Sequence, residues 1–169
     1  MTAESLAAFF RSLPGVSFPE RIEHPTRLDF GPDIERGIAT YPARAGAPYA
    51  TYVSSVDADG NESAGIRLPD LAVPLATFTG WNPRHAEQGA PGDLMQMMGS
   101  TLAFARTRAE REKSGDPRAS IEERYASRAA YLAQVRSAAE RLAAARYVLA
   151  EDTEAMVERA GRQWDFLLA

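Results

Sequence analysis

Asp57, Asp59, Asn61 and Glu62 crowd oxygen-bearing side chains into one short stretch, DADGNE, and such a density of donors raises calcium as a ligand. An EF-hand loop needs glycine midway and a bidentate glutamate at its end. Counted from Asp57, the glycine comes early, at Gly60, and the closing position falls on Leu68, which has no oxygen to offer. Asp, Asn and Gly are also the residues that tolerate left-handed backbone, so the stretch reads as a turn. The histidines His24 and His85 stand far apart without HxxxH spacing, so no metal site is expected. Either could act alone as an acid or base. His85, with Asp93 or Asp70 nearby, is the weak candidate for a catalytic residue, although a lone histidine in a Pro-rich loop is more often a surface hydrogen-bonding group.

Other chemistries fail on pattern. A hydrolase nucleophile on an α/β sheet needs GxSxG, because a sharp strand-to-helix turn must present the hydroxyl. Ser63, Ser100 and Ser114 each lie near a glycine, yet none sits in that context. Neither GxGxxG nor GxxxxGK occurs, so no nucleotide cofactor is expected. The chain has no cysteine, which excludes disulfides, thiolate nucleophiles and Cys-based metal centres. Arg106, Arg108, Arg111 and Lys113 alternate with Glu110 and Glu112 as on a solvated, ion-paired helix face. With a net charge of −4 there is no electrostatic reason to expect a nucleic acid or an anionic membrane as partner. Arg67, Asp70, Thr79, Trp81 and Asn82 combine a flat apolar ring with hydrogen-bonding groups. Pocket walls have that character, and so do ordinary loop anchors. The methionines Met95, Met97 and Met98 read as core filler.

The elements that must position these residues divide near residue 118. All 11 prolines lie between Pro14 and Pro117, and 11 of the 12 glycines between Gly15 and Gly115. Proline lacks a donor and glycine is loose, so residues 1–117 are predicted to hold loops and short elements, and residues 118–169 long helices. The fold class is therefore α+β and helix-rich, most simply as one unit of a size that buries a core.

In order, Ala3–Leu13 is predicted to be a short amphipathic helix, and residues 16–48, broken by five prolines, an irregular segment lying on a larger body. Residues 49–68 are predicted to form a β-hairpin about DADGNE, and Leu71–Thr79 an edge strand limited by Pro74. Thr79 to Pro83 should form a turn, Asp93–Met98 a helical turn and Thr101–Lys113 a short helix. Ser120 with Glu123 forms a capping box, opening one long helix whose stripe runs 121, 125, 128, 132, 135, 139, 142, 146 and 149. A last helix from Asp152 or Thr153 to about Leu168, with Val157, Ala160, Trp164 and Leu168 on one face, should complete an antiparallel helical hairpin.

VDADGNESAGIRLPDLAVPLATFTGWNPR, then FARTRAEREKSGDPRASIEERYASRAAYLAQVRSAAERL and the later AED, resemble the C-terminal part of a bacterial family of α/β-hydrolase domain-containing proteins. RLDFGP at Arg27–Pro32 resembles it too, so the similarity runs from about Pro19 onward. The resemblance implies a hydrolase whose longer members carry the serine elbow and catalytic histidine upstream of the matched stretch. No residue here matches either, so no catalytic role is carried over.

The expected function is the non-catalytic C-terminal portion of such an ester or acyl hydrolase, partnered by its catalytic domain. The alternative is a stand-alone binding or self-assembly module, homo-oligomeric through the C-terminal helices. No apolar run reaches the ~18 residues of a membrane span and no signal peptide opens the chain, so as written it is expected in the cytoplasm.

Overall fold

The computed structural model describes residues 1–19, 24–90 and 93–169. Residues 20–23 of the Pro-rich segment and residues 91–92 lie outside that description. The chain opens with α1 (Ala3–Arg11), where Thr2 Oγ1 accepts the Ser5 amide and Ala3, Ala7 and Phe10 turn inward. Next come β1 (Thr26–Asp29) and β2 (Arg44–Pro48), paired antiparallel with Leu28 opposite Ala45 and Asp29 opposite Arg44.

The predicted hairpin over 49–68 is reduced to its turn. Val56 and Glu62 form an isolated bridge around Asp57–Asn61, and Tyr52 bridges Thr2 instead. Pro69–Ala72 is a helical turn, α2, which takes the first two residues of the edge strand expected over Leu71–Thr79, because Pro69 sits at the helical first position and needs no donor there. Strand β3 (Ala76–Phe78) pairs with β6 (Thr101–Ala103), and β4 (Trp81–Pro83) with β5 (Leu94–Gln96), making a two-stranded arm with a break. At that break Gly99 lies so close to the Thr79 carbonyl that a Cβ would stand 2.1 Å from its oxygen. Two expectations are thereby corrected. Residues 81–83 and 94–96 are strands rather than turns, since each supplies the other's backbone partners. Helix α3 is only Arg108–Ser114, because Thr107 and Glu110 form a capping box that starts it late.

The predicted long helix is two. The capping box of Ser120 and Glu123 opens α4 (Ile121–Arg124), Tyr125 is extended at φ −131 and ψ 120, and Ser127 caps a fresh start for α5 (Arg128–Ala144). The break moves the buried face of α5 to Tyr131, Val135, Ala138 and Ala139, so the expected stripe fails at Arg128 and beyond Ala139. Helix α6 (Thr153–Leu168) runs antiparallel to α5, as Arg128 meets Asp165 and Arg136 meets Glu154. Gly161 makes the approach possible, its missing Cβ leaving room for Arg128 and Leu132.

The core draws on both sides of residue 118: Val73, Leu75 and Phe104 pack with Ile121, Tyr125, Tyr131, Val135, Val157 and Ala160. The rings of Tyr125, Tyr131 and Trp164 meet within 6.2 Å between centroids. The result is an α+β, helix-rich fold ending in an antiparallel helical hairpin. No helix among the described residues is long and apolar enough to cross a membrane.

Candidate functional site

The acid-rich loop is a built turn. Asp57 Oδ1 accepts the amides of Asp59 and Asn61, each at 3.0 Å, and Gly60 takes φ 79 with its Cα against Phe9 and Thr77. Each aspartate is paired to an arginine: Asp57 to Arg67 at 2.6 Å, and Asp59 to both terminal nitrogens of Arg124. Asn61, fully buried, donates to the Ala76 carbonyl at 3.0 Å and accepts the Phe78 amide at 2.8 Å. Its side chain thus completes the free edge of β3 as a neighbouring strand would. Among the described residues no group of three or more His, Asp or Glu is arranged to hold a metal ion.

Beneath the loop lies a second polar cluster. Asp116 and Arg118, each 4 % exposed, share two side-chain hydrogen bonds of 2.7 and 3.0 Å. Arg118 also donates to Thr77 Oγ1 at 2.9 Å and to the carbonyls of Leu102 and Ala103. Phe104 meets two cations, with the Arg124 guanidinium 4.2 Å and that of Arg118 5.1 Å from its ring centre. Burial pushes the Asp116 carboxyl up, but the hydrogen bonds and charge of Arg118 outweigh it and hold the group below the usual range. Burial, with a smaller push from the Asp59 charge and against the pull of Arg124, raises Tyr125 to about 12, and its hydroxyl donates to the Pro74 carbonyl at 2.8 Å. Every strong donor in this cluster has an internal partner, so its chemistry is that of a clamp holding the loop on β3 and β6.

The residues singled out in the sequence are dispersed. Arg67 lines a small polar concavity of about 310 Å³ with Asp57, Asp59 and Arg124, and its buried Nε has no hydrogen-bond partner among the described residues. Asp70 is at 2.6 Å from Arg159, beside a second hollow of about 490 Å³. Thr79 and Trp81 line a groove of about 740 Å³, and Asn82 stands in β4 opposite Met95. His85 caps a short 3-10 turn, its Nδ1 accepting the Glu87 amide, while the Ser63, Ser100 and Ser114 hydroxyls donate to backbone carbonyls.

The sequence offered His24 only as a lone acid or base, without partners. Its Nε2 lies 2.9 Å from Glu4 Oε1 and its Nδ1 2.8 Å from Thr51 Oγ1, beside a hollow of about 460 Å³. Carboxylate, imidazole and hydroxyl follow the order of a nucleophile relay. Thr51, however, stands in extended chain tied to α1 by its carbonyl, which accepts the Ala3 amide, and not on a strand-to-helix elbow. The set works as a tie between the N-terminus and residues 49–52. No sequence signal marks it, since its members are 20 and 27 residues apart.

An α/β-hydrolase body is a mostly parallel sheet, whereas every ladder among the described residues is antiparallel and two-stranded. No curated protein and no solved structure matches the chain. Its residues 28–158, well over half of its length, match the alpha/beta hydrolase domain, and the chain belongs to that family.

Proposed function

We propose that this chain is the C-terminal, non-catalytic portion of an α/β-hydrolase-like ester or acyl hydrolase, and that it docks on the nucleophile-bearing body through the β1–β2 hairpin. The observation that carries this reading is the hairpin's exposure. Every residue of both strands is exposed, and Leu28, Phe30, Ile34, Ile38 and Tyr41 put large apolar surface into solvent over a few turns of chain. Leu28 and Ala45 fall on one face by register, with Asp29 and Arg44 on the other, and Phe30 follows directly at the end of β1. A two-stranded hairpin with one apolar face is marginal alone and gains stability by covering that face. The occupant the family supplies is the catalytic body.

The test mixes the chain with the nucleophile-bearing segment of a family member. A one-to-one complex is expected, with a fluorophosphonate probe labelling the added segment only. Phe30→Asp and Tyr41→Asp should weaken the complex by about tenfold or more, as for residues at an interface centre. Labelling of this chain alone, or a complex indifferent to both substitutions, would overturn the reading. Self-assembly through α5 and α6 has weaker support, because the stripe that suggested it is covered by Val73, Leu75 and Phe104.

A further inference from the structure

Glu4, His24 and Thr51 tie α1 to the chain beside it, and the same three groups have the parts of a metal site. The carboxylate is fixed in place: the Glu4 backbone amide, joined by Thr2 and His24, holds the Glu4 carboxyl below its usual range against burial. The imidazole faces it, with His24 Nε2 at 2.9 Å from Glu4 Oε1. Two ligand atoms at right angles on one cation, with bonds of about 2.0–2.1 Å, stand about 2.9 Å apart, against about 3.3 Å for a tetrahedral pair. A hydrogen bond has the same length, so a cation can replace the shared proton without displacing either side chain. Behind the ring, Thr51 Oγ1 lies 2.8 Å from Nδ1. A hydroxyl both donates and accepts, so it backs either tautomer. It donates to Nδ1 while Nε2 keeps its proton toward Glu4, and it accepts from Nδ1–H when Nε2 turns its lone pair to a metal. Metal-ligating histidines are oriented by such a partner on the other nitrogen. Access is open, since the side chains of His24 and Glu4 are 25 and 61 % exposed and a hollow of about 460 Å³ lies beside them.

We infer that Glu4 and His24 together bind a divalent late transition cation of the Cu²⁺ or Ni²⁺ kind, with Thr51 positioning the imidazole and water from the hollow filling the remaining positions. Right-angled nitrogen and oxygen ligation suits these ions, and an imidazole ligand selects them over Ca²⁺ and Mg²⁺. Two protein ligands are fewer than the three that hold a catalytic metal, and the described residues supply no third His, Asp or Glu, so the cation exchanges with solvent. While bound it joins α1 to residues 24 and 51 and adds to the stability of the folded chain. The site stands apart from the docking reading and needs no catalytic body.

The chain, labelled with nitrogen-15, is titrated with Cu²⁺, whose unpaired electron broadens the signals of nearby amides, and the unlabelled chain with Ni²⁺ by calorimetry. The amides of Glu4, His24 and Thr51 should broaden first while those around His85 stay sharp, and Ni²⁺ should bind one to one. His24→Ala should remove the Ni²⁺ heat and His85→Ala should leave it. Glu4→Gln keeps an acceptor for His24, and with it the tie, but loses the anionic ligand; it too should remove the heat. Thr51→Val should weaken Ni²⁺ by about 10- to 100-fold, as loss of the group behind a ligating histidine does, and Thr51→Ser, which restores the hydroxyl, should recover it. Broadening centred on other residues, or a Ni²⁺ heat that survives His24→Ala or Glu4→Gln, overturns the site. Equal Ni²⁺ affinity in Thr51→Val and the parent overturns the positioning role of Thr51.

Discussion

Tyr131 in α5 and Tyr41 in the β1–β2 loop carry the same side chain, yet one is 1 % exposed and the other 96 %. Around Tyr131 the chain closes on itself: two helices, a helical turn and a strand pair contribute to one core, and the polar groups beneath are paired within the molecule. Around Tyr41 the strands pair with each other, and among the described residues nothing covers their apolar side chains. The difference separates residues that stabilise this chain from residues available to another. A substitution in the first region should show in stability, and one in the second only in association.

The largest effect is expected where a buried charge loses its partner. Asp116→Ala leaves Arg118 uncompensated and should destabilise by about 3–5 kcal/mol, read as a lower urea midpoint. A loss below about 1 kcal/mol would show that the cluster is not the clamp described. Asn61→Ala strands the Ala76 carbonyl and the Phe78 amide and should cost about 1–3 kcal/mol by the same measurement.

Acid should act through the same region. The Ser120 amide and hydroxyl, with Arg111 beyond, hold the Glu123 carboxyl down to about 2. Its folded value lies below its unfolded one, so its contribution is complete above about 4.5 and is lost as the pH falls through about 2. Glu123→Gln should therefore be less stable than the parent at neutral pH, with the gap closing as acid is added. A gap constant from pH 7 to 2 would reject the assignment.

At the small end, Leu28→Ser should change stability by no more than about 0.5 kcal/mol, as at surface positions generally, while weakening the complex with the catalytic segment. A large loss of stability there would dissolve the contrast, since it would mean that the hairpin face is covered by this chain after all.

Much of the fold was legible because its signals are local. Capping residues, proline spacing and helical periodicity placed α1, the start at Ser120 and the last helix, and the turn at Asp57–Asn61 followed from residue type. Legibility ended where two local signals competed. Ser120 and Ser127 are both good caps, and only the burial of Tyr125 against Pro74 shows that both are used. Residues 76–103 needed knowledge of which short strand meets which, and no periodicity over three residues supplies that. Of the residues grouped in the sequence, Thr79 and Trp81 share a groove, whereas Arg67, Asp70 and Asn82 stand elsewhere, because nearness in sequence does not constrain where side chains point across a bend.

By itself the sequence determined the absence of thiol chemistry, the turn at DADGNE, the helical C-terminal third and the family resemblance, all of which depend on residue type or on spacing within a few turns. Tertiary structure alone decided that the loop acids are held by Arg67 and Arg124, that Asp116 and Arg118 are buried together, that Glu4, His24 and Thr51 meet, and that the β1–β2 face is left uncovered. Those outcomes hang on contacts between residues distant along the chain, and contacts of that kind are set by how elements pack and not by what any segment prefers alone.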